Sequence, residues 1–305
     1  MFKNLILKSF VVLMSLTIMQ IVTNAQVTSE NHRLFDAKGQ SVSFDKIMEA
    51  VGQADVVFIG ENHDDPVAHY LQLEFLKAAQ EHFGKNGRNI ALSMEMFERD
   101  VQIVLDEYLK DLISEQHFLS SSRAWNNYKT DYRPLIEFAK ENKLVVIAAN
   151  APRRYVNRVS RLGRDSLNEL SPTAKSWLAP LPYAAASKEY ADKFNKLMSA
   201  GGTHDTSKIL DSQSLWDATM ADSIATYFKK QSKALVIHIN GRFHSEKRLG
   251  APEHLLRYRS KTRFIVITIV SDDTFPNFAA TKHIDLGDFV IVTDPKLPRT
   301  FKAGN

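Results

Sequence analysis

DVVFIGENHDDPVAH, Asp55 to His69, sets a pattern that recurs along the whole chain. Val56, Val57, Phe58 and Ile59 form a continuous apolar run, as in a strand covered on both faces. The run stops at Gly60, where a residue without a Cβ lets the chain turn. Glu61, Asn62, His63, Asp64 and Asp65 follow, each able to accept a hydrogen bond or bind a metal. Pro66 then stands at a first helical position, with Asp65 as its N-cap. A buried strand thus delivers a polar cluster to its C-terminal end, where open α/β sheets hold their sites. Capping needs one acid, so Glu61 and His63 are left over for chemistry.

The same sequence of events repeats downstream. Ile90 to Met96 reads as a second strand, with Glu95 among the apolar neighbours Met94, Met96 and Phe97. A carboxylate there is costly to bury unless it is paired or metal-bound. Leu144 to Ala149 is a third strand, followed by Asn150, Arg153 and Arg154. Ala234 to Asn240 is a fourth, ending in Gly241, Arg242 and His244, and Phe264 to Val270 is a fifth. Phe289 to Val292 reads as a last strand at the sheet edge, and a short edge strand is expected before Ser43. Amphipathic patterns predict helices over Phe44 to Gly52, Pro66 to Phe83, Glu98 to Ser114, Pro134 to Glu141, Asp211 to Lys230 and Pro252 to Tyr258. This alternation predicts an α/β fold with a mostly parallel central sheet flanked by helices. Between about 160 and 210, prolines and small residues separate short helical stretches, which predicts a helical insertion or lid.

Lys3 and Lys8 precede an apolar run from Phe10 to Val22, and Thr23-Asn24-Ala25 supplies small residues before a cut. Residues 1–25 therefore read as a secretory signal peptide, leaving one domain over 26–305 and an exported protein. No later stretch is apolar enough to span a bilayer. Removing Lys3 and Lys8 halves the net charge of +4, and with it any case for nucleic acid. The absence of cysteine excludes disulfides, thiolate metal ligands, a covalent c-type haem link and a lipidated cysteine.

The polar strand ends bring Glu61, His63, Glu95, Asn150, Arg153, Arg242 and His244 into question together. Gly-x-x-His recurs at two of them, Gly60 to His63 and Gly241 to His244. If those strands are near neighbours, two imidazoles and two carboxylates face one cavity. GENH at 60–63, MEMFER at 94–99, WNNYKTDYRP at 125–134, AANAPRR at 148–154, SLWDATMADSI at 214–224 and INGRFHSEKRLGAP at 239–252 occur in that order. In these blocks the chain resembles the ChaN-type haem-binding uptake family, of the Tiki and erythromycin-esterase-like superfamily.

The resemblance implies an exported haem-binding protein of iron uptake, periplasmic or associated with the outer membrane, here without a cysteine for a lipid anchor. A haem uptake system of the outer membrane is the implied partner, and a homodimer is compatible with the reading. Haem needs an apolar slot, an axial ligand and cations for its propionates. His63, His244, Tyr183 and Tyr190 are the candidate ligands, and Arg153 and Arg242 the candidate cations. The alternative that the resemblance carries is a metal-dependent hydrolase, a Tiki-like protease or an esterase. There Glu61, His63, Glu95 and His244 would hold zinc or manganese, and Glu61 or Glu95 would serve as base.

Overall fold

A computed structural model describes residues 27–198 and 206–300; the signal peptide expected over residues 1–25 lies outside the described residues, as do residues 199–205 of the insertion. Seven strands form one sheet: β1 (His32–Asp36), β2 (Val56–Glu61), β3 (Ile90–Glu98), β4 (Val145–Asn150), β5 (Leu235–Gly241), β6 (Phe264–Ser271) and β7 (Phe289–Thr293). Their order is β1-β7-β6-β2-β5-β3-β4. Every pairing is parallel except that of β1 with β7.

Alternation along β2 explains the layers. Val57 and Ile59 face one side, where α1 (Phe44–Gln53), α2 (Pro66–Ala79) and α5 (Arg133–Glu141) supply the core. Val56 and Phe58 face the other, against α9 (Ser207–Lys230) and α10 (Ala251–Tyr258). Phe58 is fully buried, a burial that stabilises by about 1.5–3 kcal/mol. A strand covered on both faces has no polar side, which is why its sequence does not alternate. Leu215, Met220, Ile224 and Phe228 of α9 are all buried, as the helical spacing requires.

Between β4 and β5 the described residues hold helices and turns but no strand. They include α6 (Arg153–Leu162), α7 (Pro172–Ser176) and α8 (Lys188–Met198) before α9. On the open side of β4, the side chain of Gln102 substitutes for a neighbouring strand. Its amide nitrogen donates to Val146 O at 2.9 Å, and its oxygen accepts from Ala148 N at 2.7 Å.

Four details depart from the sequence reading. Gly60 does not end β2, because Gly60 and Glu61 still pair with Asn240 and Gly241. Its glycine serves close approach instead, since a Cβ there would lie 2.8 Å from Arg242 Cα. The helix expected over Glu98 to Ser114 is shorter, α3 (Gln102–Leu109), and a separate helix, α4 (Glu115–Ser122), follows it. Asp111 adopts a positive φ of 58° between them and Ser114 caps α4, so Leu112 turns outward at 69 % exposure. The helix from Pro66 ends at Ala79, and a wider π turn runs on to Gly84. Finally, β7 is interior, because β1 adds itself antiparallel on its outer side.

Candidate functional site

Strand register assembles the site. β2 and β5 are adjacent with Glu61 opposite Gly241, so the two Gly-x-x-His loops leave the sheet side by side. β3 lies on the far side of β5, and Glu95 reaches across to accept from Gly241 N at 2.7 Å. His63, Glu95, Asn150, Arg153 and His244 line one cavity of about 280 Å³, walled by Trp125 and Trp216. Residues far apart in the chain therefore meet over one rim of the sheet.

Glu61 is buried with both oxygens engaged. Oε1 accepts from His63 Nδ1 at 2.8 Å and from Tyr132 OH at 2.7 Å. Oε2 accepts from Gln72 Nε2 at 2.5 Å and lies 3.1 Å from His69 Nδ1. Burial opposes its charge, but the His69 cation and the hydrogen bonds from His63 and His69 outweigh burial and hold the carboxyl well below the usual range. His69 in turn sits with Nε2 3.2 Å from Asp131 Oδ2. Burial would neutralise it, yet Glu61 and Asp131 push its pKa up to about 10. A carboxylate–imidazolium–carboxylate chain thus lies beneath His63.

His63 itself is more open, with 39 % of its side chain exposed. Burial lowers its pKa, and Glu61 with Glu95 raises it further than burial lowers it. The ring meets Trp125 edge-on, centroids 5.0 Å apart. With Nδ1 directed at Glu61, Nε2 is the atom presented to a ligand. Only a glycine at 241 keeps that atom uncovered, since a Cβ there would stand 2.6 Å from Nε2.

His244 has the opposite environment. It is buried, with Nδ1 2.7 Å from Asp217 Oδ1 and Nε2 3.6 Å from Glu95 Oε1. Burial disfavours its charge, but Glu95 and Asp217 raise its pKa to about 9. Its two ring nitrogens thus face Asp217 and Glu95. These facts decide the metal expectation. Among the described residues, no group of three or more histidine and carboxylate side chains is arranged to hold a metal ion. Both oxygens of Glu61 are engaged by His63, Tyr132, Gln72 and His69, and the expected set of Glu61, His63, Glu95 and His244 is not gathered around one point.

The remaining candidates divide by position. Arg153 lines the cavity beside His63 and pairs with no carboxylate among the described residues. Arg242 already donates to Asn62 Oδ1 at 2.9 Å and pairs with Glu246. Tyr183 is buried away from these cavities, its hydroxyl donating to Asp211 O at 2.9 Å. Tyr190 is buried behind His244, ring to ring with Phe243 at 5.3 Å, and burial next to Asp217 raises its pKa well above the usual value.

Two larger clefts open on either side of His63. One, of about 680 Å³, is lined by Trp125, Asn127, Arg123, Arg153 and Arg154. There Arg123 and Arg154 share Asp100, and Arg123 also reaches Glu98, so three guanidiniums face two carboxylates. The other, of about 750 Å³, is lined by Phe243, Leu197, Lys193 and Arg242. Burial pushes Lys193 down to about 8.

The sequence reading missed His69, Gln72, Asp131, Tyr132 and Asp217. All are buried polar groups on helix faces or turns otherwise occupied by core residues. His69 and Gln72 share the inner face of α2 with Leu71 and Phe75, and Asp217 shares that of α9 with Leu215 and Ala218. A polar residue at a core position of an amphipathic helix was the available signal.

The chain is similar in fold to the ChaN of Campylobacter jejuni, a structure described as cofacial haem binding. The TM-score is 0.67 at 18 % identity, covering 87 % of this chain and 98 % of that one. A variant of the erythromycin esterase EreC in its open conformation aligns at TM-score 0.47 and 13 % identity, over 87 % of this chain and 83 % of that one. Protein RETICULATA-RELATED 5, chloroplastic, of Arabidopsis thaliana is 25 % identical over 146 residues. That match takes in 45 % of this chain, which spans 20 % of that relative's length. The model of the family described as haem-binding uptake, Tiki superfamily, ChaN matches residues 47–255, more than half of the sequence. The chain belongs to the ChaN family of haem-binding uptake proteins in the Tiki superfamily.

Proposed function

We propose that this protein binds haem over His63, and that it does so as an exported component of bacterial iron and haem uptake. The observation that carries the reading is the asymmetry of His63: Nδ1 is taken by Glu61, while Gly241 leaves Nε2 uncovered on a half-exposed ring between two clefts. Both clefts fall within the roughly 300–1,000 Å³ of small-molecule sites. Trp125, Phe243 and Leu197 offer apolar surface for a porphyrin. Arg153, with no carboxylate partner among the described residues, fits a propionate as a fork.

His63 would hold the iron and Arg153 a propionate, and haem would supply an iron centre for transport. The work of the chain is to orient and to match charge. Glu61 fixes the ring and its tautomer, and a carboxylate behind a ligating histidine raises its basicity. Family membership and the fold shared with a ChaN whose structure is described as binding haem support the reading. Export to the periplasm or outer membrane, and delivery to a haem uptake system there, rest on the leader-like residues 1–25 and on the family's description as uptake.

Hemin added to the purified protein is expected to give a shifted Soret band that saturates at a fixed stoichiometry. His63→Ala is expected to shift the band maximum and weaken binding. A wild-type protein that leaves the hemin spectrum unchanged would overturn the proposal.

A further inference from the structure

The family match stops at residue 255, yet the loop carrying His63 is fastened by the far end of the described chain. After β7, Leu297 packs against the main core and the chain crosses the end of β2. Thr300 N donates to Asp64 O at 3.1 Å, so the residue next to His63 is tied through its backbone. Arg299 lies 3.6 Å from the Asp64 carboxylate and donates to Ser271 Oγ at 2.7 Å.

A second connection runs through side chains. The Thr300 hydroxyl donates to Asp131 Oδ2 at 2.7 Å. That same oxygen accepts from Asn127 Nδ2 at 2.6 Å and faces His69 Nε2. His69 faces Glu61, and Glu61 holds His63 Nδ1. Asn127 closes the circuit by donating to the His63 carbonyl at 3.1 Å. Asp131 is almost wholly buried, so a donor lost there cannot be replaced by bulk water.

We infer that Arg299 and Thr300 form a strap that positions His63, with Thr300 acting on it through both the Asp64 backbone and the Asp131–His69–Glu61 chain. The strap adds contacts to the loop after β2 from outside the family's matched region. Partners of this kind orient a ligand they never touch. The strap rests on the haem reading for its affinity readout alone.

The test uses the full chain with Thr300→Val, Thr300→Ser and Arg299→Ala. Carbethoxylation of His63 by diethyl pyrocarbonate is followed by peptide mass without haem, with exposed His82 as internal reference. Hemin affinity and Soret maximum are measured in parallel. Thr300→Val is expected to change the His63 rate severalfold relative to His82, to weaken hemin about tenfold, the low end for such partners, and to shift the band. Thr300→Ser is expected to restore all three. If wild type binds no hemin, the haem reading fails while the carbethoxylation rates still decide the strap. A folded Thr300→Val protein with an unchanged His63 rate would overturn the inference. If that variant does not fold, Arg299→Ala decides instead: it removes the Asp64 ion pair and the Ser271 bond that hold the strap in place without uncovering Asp131, and an unchanged rate there would also overturn it.

Discussion

The two Gly-x-x-His loops are alike in sequence and unlike in chemistry. The first places His63 at a half-exposed junction with one carboxylate on Nδ1 and Nε2 beside Gly241, bonded to no side chain among the described residues. The second places His244 inside, with Nδ1 on Asp217 and Nε2 facing Glu95, two acids that raise its pKa. A shared motif sets where the backbone goes. The neighbours decide whether the imidazole serves a ligand or the fold.

The sharpest way to break this contrast is to remove each histidine and measure folding. His244→Leu leaves two buried carboxylates without their cation, and should cost about 3–5 kcal/mol in urea unfolding. His63→Ala leaves Glu61 with Tyr132, Gln72 and His69, and should cost about 1 kcal/mol or less. Similar losses in the two variants would erase the distinction.

Binding should invert the order. His63→Ala is expected to weaken hemin roughly a hundredfold, about 2.8 kcal/mol, in a titration of the Soret band. A His63→Ala protein that binds as wild type would move the ligand role elsewhere.

Stability against pH sharpens the contrast further. The folded pKa of His244 is raised to about 9, above its ordinary 6.5. Its contribution is therefore complete below 6.5 and lost as pH rises through 9, at a slope of at most about 1.4 kcal/mol per pH unit. The stability gap between wild type and His244→Gln should therefore narrow as pH rises from 6 to 9.5. His69, raised to about 10, adds the same sign at higher pH, whereas Glu61, held low, loses its contribution on acidification. Parallel curves for the two proteins would show that His244 is neutral in the fold.

The smallest effect is expected from Gly241→Ala. Its Cβ would press on His63 Nε2, which can yield only by turning its ring. Hemin affinity should drop about fivefold, about 1 kcal/mol, with thermal unfolding unchanged. Unaltered affinity would show that Nε2 is not where the ligand arrives.

Most of the fold was legible because doubly covered strands leave continuous apolar runs, and five such runs carried β2 to β6. The cluster at their C-terminal ends followed from the residues that came next. What was not legible depends on partners in space. DVVFIGENHDDPVAH ends on His69, and SLWDATMADSI contains Asp217, but nothing local says that one braces Glu61 and the other clamps His244. The break after Leu109 was missed because a lone Asp111 with positive φ has no strong signature. Thr300 lay furthest from inference, as its target is a carboxylate far back in the chain.

Gln102 has a consequence for how copies of this molecule can meet. An unprotected border strand recruits foreign chains through its bare amides and carbonyls, and here one side-chain amide occupies those of Val146 and Ala148. Two of the backbone groups that an added strand would need on β4 are thereby already taken. A crowded compartment makes such a plug valuable, and a single Gln102→Ala exchange would pull it out.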